Sequence, residues 1–578
     1  MSRHFFWRLA LLCGVCLMRE FEAAPPQSLG GEYDRPAGLA HQSRSVVLAQ
    51  HGLVATSHPL AAQVGLDVLR AGGNAADAAI AANAMLGVVE PMSCGIGGDL
   101  FAIYWDQKSR KLYGLNASGR SPAALSPAVF AQKNLAAIPN SGPLSWSVPG
   151  CVSGWAELNK RFGTKKLDHL LAPSIETAEE GFPVSEIIAA AWNQAAPQLA
   201  AWPDSAATYL LEGRRSPQYG EVFRNPHLAA SYRLIAQRGP SAFYTGDLAR
   251  RIVDFSHREG GYLELADFAE HRADWVEPVS TTYRGYEVWQ LPPNGQGLAV
   301  LQILNLLEPF DLSQYHPGHP EYLHLLIEAK KLAYADRARY YADPAFAAAP
   351  VHELISKKYA AQRVKSISRD RAATDVEFGD PQLAHGDTVY LSVVDKDRNC
   401  CSLIQSIYYN FGSQVVAGDT GFALQNRGAL FSLKPDHPNR LEPKKRPFHT
   451  IIPGFVTKQG KPWFCFGVMG GDMQPQGQVQ VLNQLIDFGL NPQAAGDAAR
   501  VQHLGSATPT SIPAAGAGTV LVESGIADSS VDTLRAKGHT VVRARGSFGG
   551  YQGILIHPDT GVLHGASEPR KDGAAVGY

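Results

Sequence analysis

The stretch Ala384-His385-Gly386-Asp387-Thr388-Val389-Tyr390-Leu391-Ser392-Val393-Val394-Asp395, followed by a second apolar run from Cys400, decides how the chain is read. Alternating and β-branched residues over 388–394 predict a strand, 395–399 a turn, and 400–407 the returning strand of a β-hairpin. Gly386-Asp387 sets permissive backbone directly before a hydroxyl residue that opens a buried strand. Were the chain cut between Asp387 and Thr388, Thr388 would carry a hydroxyl nucleophile and its own base, the free α-amine, on one residue. The local alternative is an ordinary turn leading into a strand.

The 578 residues can bury a large core, and length alone allows roughly three or four domains or one large layered unit. The 52 basic and 53 acidic residues nearly cancel, so no overall field favours nucleic acid or an anionic membrane. Arg3 and Arg8, an apolar run at 9–18 and Ala23-Ala24-Pro25 read as a signal peptide over 1–24, which predicts a secreted or periplasmic protein; a retained N-terminal membrane anchor is the alternative. No later run is long and uncharged enough for an integral span, and residues 25–45 read as an exposed arm. Two of the seven cysteines lie in the leader. The other five are odd in number and widely spread, with no zinc-like Cys/His spacing, which predicts buried free thiols and neither a metal nor a cofactor.

Helices are predicted at 58–71 and 75–86, joined by Gly72-Gly73-Asn74. Gly95-Ile96-Gly97-Gly98-Asp99 follows a helix and precedes a strand, the reverse of a dinucleotide loop, so a tight backbone turn is expected. Strands at 100–105 and 111–117 lead into a middle third of helices at 167–181, 186–199, 226–238 and 247–255. Residues 289–297 read as a strand running into a rigid loop, helices resume at 298–307 and 321–336, and 370–387 reads as an accessible linker. Beyond the hairpin, short strands (415–424, 454–457, 463–468, 519–521, 539–543, 553–557, 562–566) alternate with helices (476–488, 492–500, 529–537). The pattern predicts an α+β fold, helices layered over antiparallel sheets.

Gly72-Gly73-Asn74-Ala75-Ala76-Asp77, Gly95-Ile96-Gly97-Gly98, Val148-Pro149-Gly150, Glu328-Ala329-Lys330-Lys331-Leu332-Ala333-Tyr334-Ala335-Asp336-Arg337, Thr388 with Ser392-Val393-Val394-Asp395, Lys445-Arg446-Pro447, Gly470-Gly471 and Gly565-Ala566-Ser567-Glu568-Pro569-Arg570 together resemble the γ-glutamyltransferase family, in its order and over nearly the whole chain from residue 46. The resemblance implies an N-terminal-nucleophile hydrolase of four αββα layers, made as a proenzyme that cuts itself between Asp387 and Thr388 into a large subunit (46–387) and a small subunit (388–578) forming one intertwined unit. Thr388 becomes the nucleophile. Ser406 matches the family's second hydroxyl beside it, Gly470-Gly471 match the backbone donors to the oxyanion, and Arg120 is implied as a clamp for a substrate carboxylate.

Recognition is where the sequence departs from that pattern. Arg427 and Leu430 stand where typical members hold the substrate α-ammonium with a glutamine and an aspartate, and Tyr408 replaces an asparagine. His449-Thr450 replace the paired serines that bind the α-carboxylate, and the short segment 432–447 suggests that a lid is missing. Leu430 cannot balance an ammonium and Arg427 repels one, whereas Arg427 suits a carboxylate. These departures resemble a divergent branch that includes acylases of glutaryl-bearing β-lactams and small amidohydrolases. Three readings stay open: a γ-glutamyl peptide (glutathione) hydrolase or transferase, favoured because that activity dominates the family; an amidase for carboxylate-bearing acyl groups without an α-amine; and a non-enzymatic scaffold.

Overall fold

The computed structural model describes residues 42–374, 376, 387–506, 508–511, 513–546 and 548–578, with Asp387 described by its backbone alone. The leader, most of the arm, and most of the linker, including Gly386, lie outside the described residues.

The hairpin forms as its residue pattern predicts. Strand Asp387–Val394 runs antiparallel to Cys400–Tyr408, with Val394 opposite Cys400. Asp395 closes the turn: one carboxylate oxygen accepts from the N–H groups of Asp397 and Asn399, and the other from the Asn399 amide and the Ala75 N–H. One side chain thereby fixes both the hairpin turn and the start of helix Ala75–Val89.

Around the hairpin a seven-stranded sheet forms in the order Ala574–Gly577, Leu53–Thr56, Asp387–Val394, Cys400–Tyr408, Asp99–Asp106, Lys111–Ala117, Asp274–Val276, every pair antiparallel. A second antiparallel sheet of seven runs Val47–Ala49, Leu563–Ser567, Tyr551–Ile556, Lys461–Val468, Gly454–Lys458, Tyr286–Gln290, Val279–Tyr283. The sheets face each other across Phe101, Ile103, Tyr390, Ile404, Phe455, Cys465 and Ile554. Helices Ala75–Val89 and Cys151–Phe162 cover the outer face of the first, and Gly297–Leu307 and Met473–Ile486 that of the second. This is the expected αββα order, with buried apolar residues on both faces of the central strands.

Three expectations change. Residues 415–424 hold only a bridge between Val416 and Ala423 around a 3₁₀ turn, Gly418–Thr420. The helix expected at 492–500 stops at Asp497, and Arg500 instead receives the Glu523 carboxylate on its N–H before strand Val501–Leu504. A small third sheet contains a parallel pair, Thr519–Val522 with Thr540–Arg543, because helix Asp528–Ala536 supplies the crossover that parallel strands need. Cys94, Cys151, Cys400, Cys401 and Cys465 are buried free thiols. No helix among the described residues is long and apolar enough to cross a membrane.

Candidate active site

Strand pairing brings Thr388 to Ser406. Between the pairs Asp387–Tyr408 and Val389–Gln405, the returning strand places Ser406 and Ile407 opposite the single residue Thr388, a β-bulge. Tyr408 takes a positive φ of 83° there, and Thr388 Oγ1 lies 3.4 Å from Ser406 Oγ. The Ser406 hydroxyl accepts the Tyr408 N–H at 2.8 Å, and the Gln474 side-chain amide reaches Thr388 Oγ1 at 3.5 Å. A Cβ on Gly98 would stand 2.4 Å from the Ser406 carbonyl oxygen, so the turn at 95–98 packs directly on the bulge only because it lacks a side chain. Thr388 and Ser406 are both buried.

Gly470 and Gly471, at φ 105° and 55°, lead into helix Met473–Ile486, where backbone N–H groups gather. The loop is pinned from behind. Gln296 donates to the carbonyls of Gly471 (2.9 Å) and Thr450 (2.6 Å), and the buried Arg337 bonds both Gln296 (2.6 Å) and Asp472 (2.7 Å). A Cβ on Gly470 would lie 3.1 Å from Gly549 Cα in a conformation that L side chains rarely adopt. Gly470→Ala is expected to lower kcat by about 10²-fold with little change in KM, measured by steady-state hydrolysis. A large rise in KM with kcat unchanged would instead place Gly470 in ground-state binding.

Beside the bulge lies a guanidinium with no salt bridge among the described residues, although the Asp99 carboxylate lies near enough to favour its charge. Arg427 is fully buried, donates through one nitrogen to Thr450 Oγ1 at 2.7 Å, and sits 4.7 Å from the Tyr408 ring centroid. Its Nε and second terminal nitrogen have no partner among the described residues. Burial pushes its pKa down to about 10, so it remains charged at neutral pH. Leu430, one turn on, is buried and supplies no carboxylate. Arg427 reaches Thr388 by two short routes, through contacts with Tyr408 and Ser406, and along the segment Thr450–Ile452 to Gln474, whose side-chain carbonyl takes the Ile452 N–H at 2.9 Å.

Asp99 ties these pieces together. One of its oxygens accepts from the N–H groups of Gly119 (2.9 Å) and Gly150 (3.1 Å) and from the Gln425 amide (2.9 Å); the other lies 3.0 Å from His449 Nε2. Burial first, then the Arg427 charge, lowers the His449 pKa from 6.5 to about 4. The unfolded chain therefore binds the extra proton between these values. His449 thus contributes stability that is full above pH 6.5 and is lost as pH falls toward 4, on the order of 3 kcal/mol. His58, lowered to about 4 by burial, acts in the same direction. The melting temperature is expected to fall steadily from pH 7 to 4, and His449→Gln to flatten that slope; identical slopes would remove His449 from the account.

Thr388, Ser406, Tyr408, Arg427, His449, Thr450, Gly470 and Gly471 thus share one region, buried except at the half-buried Gly470. Arg120 is not brought into it. Its guanidinium donates to Asp274 at 3.2 Å and to the Arg272 carbonyl at 3.3 Å, and it lines a cavity of about 320 Å³ with Ser121, Val148, His271, Arg272 and Lys444. Asp99, Gln425 and Gln474 belong to the region but were not singled out as site residues in the sequence. The position of Asp99 at the end of the glycine turn was the available signal for it.

A family model described as Gamma-glutamyltranspeptidase matches residues 61–578. The chain is 39% identical over 543 residues to the glutathione hydrolase-like YwrD proenzyme of Bacillus subtilis (strain 168), across 92% of this chain and 99% of that one. It is 36% identical over 534 residues to the acylase ACY 1 proenzyme of Pseudomonas sp. (strain V22), across 91% and 93% of the two chains. Among solved structures, the cephalosporin acylase from Bacillus halodurans superposes with a TM-score of 0.86 at 43% identity, covering 96% of this chain and 99% of that one.

Proposed function

Because this chain belongs to the γ-glutamyltranspeptidase family, we propose that it is a self-cleaving N-terminal-threonine amidohydrolase whose acyl substrate carries a carboxylate and no α-amine. In maturation the Thr388 hydroxyl attacks the Asp387 carbonyl, the amide nitrogen leaves as a new α-amine, and water opens the resulting ester. In turnover that amine takes the hydroxyl proton as Thr388 attacks the substrate amide and passes it to the departing amine; water then releases the acyl group by the same route in reverse. Ser406 and Gln474 orient the hydroxyl, and the N–H groups of Gly470 and Gly471 receive the oxyanion.

The observation that carries the substrate reading is the buried Arg427 guanidinium, two of whose nitrogens have no hydrogen-bond partner among the described residues and whose nearby carboxylate, Asp99, is engaged elsewhere. An uncompensated buried charge costs about 3–5 kcal/mol, and a substrate carboxylate would supply the missing partner. The same charge opposes an α-ammonium. Asp99, the buried carboxylate nearby, already accepts from four groups. The γ-glutamyl reading keeps the support of a relative named glutathione hydrolase-like, while an acylase proenzyme and a cephalosporin acylase stand on the other side. Hydrolysis of glutaryl p-nitroanilide against γ-glutamyl p-nitroanilide separates the two, with the glutaryl compound favoured at least about tenfold in kcat/KM. Equal or reversed preference would sink the substrate reading and leave the nucleophile standing. The leader read at residues 1–24 supports export, checked by the mature N-terminus of secreted protein.

A further inference from the structure

Far from Thr388 in sequence and outside its contacts, helix Pro320–Tyr340 places His324 and Glu328 one turn apart on one face, and His539 meets them from the turn before strand Thr540–Arg543. One donor atom from each lies within 4.8 Å of the others, and all three residues are buried. We propose that His324, Glu328 and His539 bind one divalent transition-metal ion, Zn²⁺ foremost, with water in the fourth position.

The donor set and its surroundings fit that ion. His324 Nε2 lies 2.7 Å from the Ser368 carbonyl, which fixes the proton on that nitrogen and leaves the Nδ1 lone pair facing His539 Nε2 at 2.8 Å. A backbone carbonyl on the far nitrogen is the support that metal-bound histidines ordinarily have. Glu328 accepts from Lys331 (2.8 Å) and from the Ala373 N–H (3.1 Å), and each carboxylate oxygen retains a further lone pair. Lys331 neutralises the carboxylate while no cation is bound and can keep its bond to the Ala373 carbonyl (3.0 Å) when one is. Tetrahedral Zn²⁺ holds its ligands about 2.0–2.1 Å away, so the two ring nitrogens need separate by only ~0.5 Å.

His324 and Glu328 precede Thr388 and His539 follows it. After cleavage the ion would therefore join the two fragments, a consequence that rests on the processing reading, whereas metal binding does not. The test uses purified full-length protein, desalted after incubation with equimolar Zn²⁺ or Co²⁺. One metal per chain by elemental analysis, visible d–d bands with Co²⁺, and at least about tenfold lower retention in His324→Gln and His539→Gln are expected. Failure of the wild-type protein to retain either ion overturns the site regardless of how the variants fold, as does undiminished retention in folded variants. In cleaved protein, chelation should lower the urea concentration that separates the fragments; an unchanged midpoint with zinc bound would overturn the cross-link.

Discussion

A chain carrying Thr388→Ala remains a single band on a denaturing gel and loses amide hydrolysis by about 10⁴-fold or more, because one hydroxyl serves both the internal cut and the external substrate. Thr388→Ser should still cut, since serine restores the hydroxyl against the same Gln474 and bulge contacts. In the processed wild type, N-terminal sequencing of the smaller fragment should begin at Thr388. Its kcat/KM should rise with pH through about 8, the range in which a free α-amine loses its proton and becomes a base. An uncut wild-type chain with full activity would remove the mechanism at its root.

Arg427→Met should separate activity from stability. Without the guanidinium, a carboxylate-bearing anilide loses its charge-assisted hydrogen bonds, and kcat/KM is expected to fall by about 10²–10³-fold, mostly through KM. The folded chain loses at the same position a buried charge with no salt bridge among the described residues, so the free variant should melt no lower than wild type and gain about 1–4 kcal/mol. Few substitutions at a packed position lose binding while gaining stability. A variant that loses both equally would make Arg427 a packing residue, and the carboxylate reading would fail with it.

The hairpin was legible because its information is local: alternation of apolar residues, β-branching, and the polar turn at 395–399. Helix Pro226–Arg238 was legible for the same reason, with Asn225 capping one end and Gly239 at the other. The run 415–424 misled because Val415, Val416 and Phe422 are buried mainly by packing, with strand pairing cut to the Val416–Ala423 bridge, and Gly418 and Gly421 turn the chain at positive φ. The site divides similarly. Thr388, Ser406 and the two glycines emerge from motif order, and strand register then explains why Ser406 faces Thr388. Asp99 carries only its place at the end of the glycine turn and Gln474 no local mark, since their meaning lies in partners far along the chain, His449 and Thr388. Arg120, a residue suited to a carboxylate, pairs in this structure with one from its own chain, Asp274.

Both sheets combine strands from before and after residue 388: Leu53–Thr56 and Asp99–Asp106 flank the hairpin on either side, and Tyr286–Gln290 pairs with Gly454–Lys458. Once the bond at 387–388 is severed, neither fragment retains a complete sheet. A single chain can lose this structure and regain it unimolecularly. Two fragments must first find each other, and each exposes unpaired strands while it searches. Maturation would therefore convert a reversible folder into a kinetically trapped heterodimer, whose heat inactivation follows a rate rather than an equilibrium and whose recovery depends on concentration.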